Sequence, residues 1–206
     1  MTVAAFFAIY LVHLAAAMSP GPTTLLAARS AARDGFDRAI FLAIGFGFGA
    51  CLWAVAAIFG LAILFEHAPA VLLGLKLVGA GYLFYLALKV WRSAALPFEV
   101  TPIPADEAPK SAAKLIWLGI ATQLANPKPA VFFGTIFLTF LPANPDHWVY
   151  AVVLGMIFVN DAGWNLIVAR IFSLSGPRRA YLGFKPVIER IFGGLLALMG
   201  AKLALG

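Results

Sequence analysis

Residues 39 to 65 contain no Lys, Arg, Asp or Glu. A soluble fold has no means of covering an uncharged stretch that long, whereas a helix needs about 20 such residues to cross a bilayer. The whole chain agrees: of 206 residues 63% are hydrophobic and only 12% charged, where soluble domains carry about 25%. The chain belongs in a lipid bilayer, and the question becomes how often it crosses.

Six apolar runs are long enough to span: residues 3 to 26, 40 to 65, 69 to 91, 115 to 141, 148 to 169 and 187 to 205. Six crossings force the loops to alternate sides, and charge tests that count. Arg29, Arg33 and Arg38 fall in the first loop, Lys89, Arg92, Lys110 and Lys114 in or beside the third, and Arg170, Arg178, Arg179, Lys185 and Arg190 around the fifth. Of the 15 basic residues only Lys76, Lys128 and Lys202 lie elsewhere, inside the runs. The opposite loops hold Glu66, His67, Asp146 and His147. Basic loops stay cytoplasmic, so both termini are expected outside the cytoplasm. The N-terminus lacks the cationic segment and cleavage site of a secretory signal and reads as the first span.

The net charge of +6 is therefore topological. No basic helix or aromatic RNA-binding motif accompanies it, and nucleic acid is not an expected partner. Cys51 is the single cysteine, which excludes a disulfide framework and reads as a small packing residue. No Ser-His-Asp set, His-Glu-x-x-His or P-loop is present, so neither an enzyme nor a bound cofactor is expected. The stretch "GFGFGA" lacks the strand and the acidic residue of a dinucleotide site. Gly45, Gly47, Gly49, Gly79, Gly81, Gly193 and Gly194 read instead as places where helices approach closely.

Residues 92 to 114, with Pro97, Pro102, Pro104 and Pro109, read as a flexible cytoplasmic linker. On its two sides, residues 1 to 91 and 115 to 206, the pattern repeats. "MSPGPTTLLAA" aligns with "ANPKPAVFFGT", pairing Ser19 with Asn126, Pro20 with Pro127, Gly21 with Lys128 and Pro22 with Pro129. Similar halves of three spans each must insert in opposite orientations. The expected fold is an all-α integral membrane protein of six transmembrane helices, built as two inverted three-helix repeats with Pro-x-Pro breaks in the first and fourth spans.

Each break carries chemistry. Proline has no amide hydrogen and clashes with the carbonyl four residues earlier, so paired prolines open a helix over about a turn. In hydrocarbon the freed groups need partners from other helices, hydroxyls or a wet cavity. Ser19, Thr23 and Thr24 accompany the first break, and Gln123, Asn126 and Lys128 the second. Free amides and carbonyls suit the carboxylate and ammonium of a zwitterion, and Gly21 lets a substrate approach the backbone. A plain packing kink is the competing reading. Asp161, in "VNDAGWNLIVAR", is the only acid deep in a span, with Asn165 one turn on and Asn160 and Trp164 beside it. Intramembrane acids mark substrate or proton paths; a position at the boundary or a structural ion pair is the alternative. Lys76 reads as snorkelling or as a partner of Asp161, and His13 as a hydrogen-bonded packing residue.

These residues resemble the LysE/RhtB (lysine exporter / homoserine-threonine resistance) translocators. "MSPGPTTLLAARSAARDGFDRAIFLAIGFGFGA" is similar to their N-terminal signature, "LKLVGAGYLFYLALKVWRS" to their third span and "NPKPAVFF" to their second Asn-Pro-Lys motif. Ser19 departs from the family's usual Asn and keeps an oxygen while losing the amide donor. The resemblance implies export of amino acids or close derivatives, coupled to the proton gradient, from a prokaryotic inner membrane. Ser19, Pro20, Gly21, Pro22, Thr23, Asn126, Pro127, Lys128, Pro129 and Asn165 are the candidate substrate contacts, and Asp161 the candidate for proton or cation coupling. The expected surroundings are an amino acid substrate and the lipid bilayer, with a homo-oligomer left open. The rival readings are an exporter of another solute or an inorganic cation, disfavoured because hard cations want several oxygen ligands, and a membrane assembly subunit without transport activity.

Overall fold

A computed structural model describes residues 2–67, 69–96, 111–142 and 145–205. Among them the chain forms eight helices: α1 (Val3–Met18), α2 (Pro22–Asp34), α3 (Phe36–His67), α4 (Pro69–Ser93), α5 (Ala112–Leu124), α6 (Pro127–Phe140), α7 (His147–Phe172) and α8 (Ser175–Leu205). Residues 97 to 110, most of the expected linker, lie outside the described residues.

Phe36–Gly60 of α3 and α7 are each long and apolar enough to cross a membrane, and α1 with α2 passes as one broken span bent by 56°. The bend follows from the prolines. The Ser19 N–H closes α1 on the Ala15 and Ala16 carbonyls, Pro20 offers no donor, and Gly21 is extended before Pro22 opens α2. At the second break α5 ends at Leu124, and the Asn126 side chain caps α6 by accepting from the Lys128 amide at 3.1 Å. Proline at the first helical position fits there because that amide has no helical partner. Between Arg170 and Pro186, where charge suggested a loop, α8 already begins at Ser175 and runs through Pro186.

Packing interlocks the two sequence halves. Helix α3 lies against α5 and α7, and α4 against α8. Small residues set the closest approach. A Cβ on Gly45 would run into the Ile116 carbonyl, and one on Gly119 would stand 2.5 Å from the Leu42 carbonyl. Gly47 meets Phe158 and Ala162, Gly49 meets Gln123, and on the other side Gly193 and Gly200 face the Ala87 and Ala80 carbonyls. Gly81 and Gly194, expected to serve the same end, face open space. These seams bring α5 and α7 to α3 with Gln123 and Asp161 turned inward. An aromatic core of Phe132, Phe133, Phe137 and Phe192 with Ile9 and Leu196 closes the centre.

Candidate functional site

The two breaks meet. His13 comes from α1, Ser19 and Gly21 from the first break, Gln123 from α5, Asn126 and Lys128 from the second break, and Asp161 from α7. Together they line a cavity of about 30 Å³ with Thr23, Pro129, Phe132 and Phe133. A second, larger cavity of about 800 Å³ begins at Ser19, Pro20, Gly21, Pro22, Asn126 and Lys128 and runs along α4 and α8 to Ser93 and Leu96. Ser19, Gly21, Asn126 and Lys128 belong to both, so the breaks separate a small inner chamber from a wide vestibule.

Asp161 is 5% exposed, and each carboxylate oxygen is held. Oδ1 accepts from Gln123 Nε2 at 3.0 Å, and Oδ2 lies 3.0 Å from His13 Nε2. The Asn160 amide nitrogen faces His13 Nδ1 at 3.2 Å and donates to the Tyr10 carbonyl at 3.3 Å. With that amide so oriented, Nδ1 accepts and Nε2 carries the hydrogen donated to Asp161, so a neutral imidazole satisfies every contact. His13 is thus the direct partner of the buried acid, more than the packing residue its sequence setting suggested. Gln123 is the second partner. The sequence shows both as polar residues near the breaks, without showing that either one meets Asp161.

Several carbonyls at the two breaks find partners, as hydrocarbon requires. The Ala16 carbonyl accepts from Lys128 Nζ at 2.8 Å, and the Ser19 carbonyl at 3.4 Å. The Gln123 carbonyl accepts from Trp53 Nε1 at 3.2 Å and from the Asn126 amide. Lys128 also faces the Phe192 ring, 5.0 Å from its centroid, a favourable cation–π distance. Gly21 is the N-cap of α2 and has no side chain with which to cap it, which leaves the helix N-terminus available to an anion.

One expected residue stands apart. Asn165 is buried and donates to the Asp161 main-chain carbonyl at 2.9 Å, and it lines neither cavity. The side chains of Pro127 and Lys76 lie outside the described residues. In turn Glu189, near the start of the last apolar run, is 2% exposed and lines the vestibule. Its partner Lys185 lies 2.8 Å away and also donates to the Ser93 and Leu96 carbonyls at 2.7 and 3.0 Å. Lys185 therefore caps the end of α4 from α8. Among the described residues no three His, Cys, Asp or Glu side chains converge as a metal site.

The chain matches the family described as LysE type translocator over residues 14–206. It is 32% identical over 200 residues to the threonine efflux protein of Escherichia coli K12, covering 96% of each chain. It is 28% identical to the threonine efflux protein of Salmonella typhi, again over 96% of each. The homoserine/homoserine lactone efflux protein of Salmonella typhimurium is 27% identical, over 99% of this chain and 98% of that one. No solved structure matches the chain significantly. A Pro-Gly-Pro break packed against an Asn-Pro-Lys-Pro break, in a chain that aligns with these proteins nearly end to end, belongs to the LysE type translocator family.

Proposed function

We propose that the chain exports an amino acid or close derivative from the cytoplasm of a prokaryote across its inner membrane, drawing on the proton gradient. One observation carries this reading: two proline breaks, one from each sequence half, flank a buried carboxylate, and the same four residues line both a small chamber and a wide vestibule. Its efflux relatives point the same way.

The eight helices group into six spans. Helices α5 and α6 have 13 and 14 residues, about 20 Å each at 1.5 Å per residue, so one span of a 30 Å hydrocarbon core takes both. Helices α1 and α2 combine likewise across their bend. Six spans in inverted halves leave the 92 to 114 segment cytoplasmic and both termini outside. The vestibule, which ends at Ser93 and Leu96 beside that segment, then faces the cytoplasm and admits substrate.

A zwitterion fits the breaks by charge. Its carboxylate approaches the uncapped start of α2 at Gly21, Pro22 and Thr23, where the helix dipole favours an anion. Its ammonium turns to Asp161 and to the carbonyls closing α1. The chamber of about 30 Å³ holds about one water, so a bound amino acid extends from it past Ser19, Asn126, Lys128 and Pro129 into the vestibule. The walls Phe132 and Phe133 favour a small side chain, for which threonine and homoserine are the first candidates.

The test is transport by purified protein in liposomes loaded with labelled L-threonine or L-homoserine. An acidic exterior should accelerate loss of label severalfold over a symmetric pH. Protein that moves none of a panel of amino acids in exchange or net efflux refutes the reading.

A further inference from the structure

Lys128 places a primary ammonium on the end of an opened helix. Its Nζ donates to the Ala16 and Ser19 carbonyls and faces the Phe192 ring. The lysine belongs to the second break and the carbonyls to the first, so this one group straps the two breaks together. Carbonyls at a helix C-terminus carry partial negative charge, and in transporters with broken helices such ends coordinate the coupling cation. The ammonium of an amino acid offers the same three donors on the same tetrahedral nitrogen. It would reach these carbonyls from the cavities that Lys128 itself lines.

We propose that the Lys128 ammonium is a tethered stand-in for the substrate's own, and that the two alternate at the Ala16 and Ser19 carbonyls. The proposal rests on the reading of the chain as an amino acid exporter. With the vestibule open, Lys128 passes one proton to vestibule water, and its neutral amine leaves the carbonyls to the substrate's ammonium. Once the site opens outward the substrate departs with its ammonium intact. Lys128 then takes one proton from external water and returns to the carbonyls. One proton moves inward for each substrate moved outward, because a single pair of carbonyls holds either cation and never both.

The acids near Lys128 favour a cation at these carbonyls, whether its own ammonium or the substrate's. Asp161 from α7 and Glu189 from α8 act on Lys128 electrostatically, and His13 from α1 shares its chamber. Lys89, Tyr82 and Tyr85 from α4 and Lys185 from α8 line the shared vestibule. Asp161 is held by His13 and Gln123, and Glu189 by Lys185. Lys128, by contrast, is held by main-chain carbonyls that a substrate can take over.

The experiment measures L-threonine affinity against pH, by calorimetry on purified protein, together with exchange and pH-driven transport in liposomes. In the wild type, acidification should weaken binding by about tenfold per pH unit wherever protonation of Lys128 competes, as linkage requires. In Lys128→Met the pH slope of threonine binding should vanish, and a pH gradient should no longer drive accumulation. Lys128→Arg, which cannot lose its proton, should block both exchange and accumulation. Asp161→Asn should keep the pH slope. A slope that survives in Lys128→Met, or pH-driven accumulation by that variant, overturns the proposal, as does a wild type that exchanges threonine with an affinity indifferent to pH. That last result needs no variant to fold and leaves the transport reading standing, whereas a wild type that exchanges no amino acid removes both.

Discussion

Replacing Asp161 by Asn removes one charge and almost no volume. The new side chain cannot accept from both Gln123 and His13, since one of its two terminal positions is now an NH₂. If the amide oxygen faces His13, the NH₂ meets Gln123 Nε2 donor to donor. The Gln123 amide can turn over, because its Oε1 is buried without a hydrogen-bond partner and would then accept from the new NH₂. The network thus reconnects, and the variant should melt within about 1 kcal/mol of wild type, the scale of one exchanged hydrogen bond. Transport should behave differently. A charge-assisted contact to the substrate ammonium is worth about 1.5–3 kcal/mol, and about 1.4 kcal/mol is a factor of ten. Asp161→Asn should therefore lower threonine affinity and efflux by roughly tenfold to a hundredfold. Thermal melting in detergent and efflux from liposomes, on the same preparation, separate the two effects. Wild-type efflux with unchanged pH dependence would remove Asp161 from the mechanism, and a collapsed melting temperature would show that its role is structural.

The closest helix seam predicts that Gly119→Val, whose side chain must displace the Leu42 carbonyl, destabilises by about 1–3 kcal/mol, while Gly194→Ala, which faces open space, leaves the melting temperature unchanged. Lys185→Met should cost about 3–5 kcal/mol, because it leaves Glu189 buried and unpaired; the double variant Lys185→Met, Glu189→Met should regain most of that loss, as thermal denaturation can show. Reporter domains fused to either terminus should be active only outside the cytoplasm, and two cytoplasmic termini would overturn the proposed topology.

Much of the site was legible because membrane chemistry makes polar residues conspicuous. Asp161, Lys128, Ser19 and Asn126 stand out in the chain since each is costly in hydrocarbon unless it has a task, and the prolines say where the backbone opens. Glu189 pairs with Lys185 one turn earlier on α8, a spacing the sequence shows, but His13 and Gln123 were not legible as partners of Asp161. A sequence shows that a polar residue is present, while its partner depends on how helices far apart along the chain come together. Asn165 shows the reverse case: one helical turn from Asp161, it donates to the Asp161 main-chain carbonyl and lines neither cavity.

The sequence by itself determined that the chain lives in a bilayer, which segments are apolar enough to lie there, and where its helices break. Those properties follow from local composition and from the covalent geometry of proline. Only the tertiary structure decided that the breaks face each other, that His13 and Gln123 hold Asp161, and that Lys128 closes the end of α1. The halves interlock, α3 on α5 and α7 and α4 on α8, and close approach at a few glycines sets those pairings. Which donor meets which acceptor is a consequence of that packing, and no run of adjacent residues encodes it.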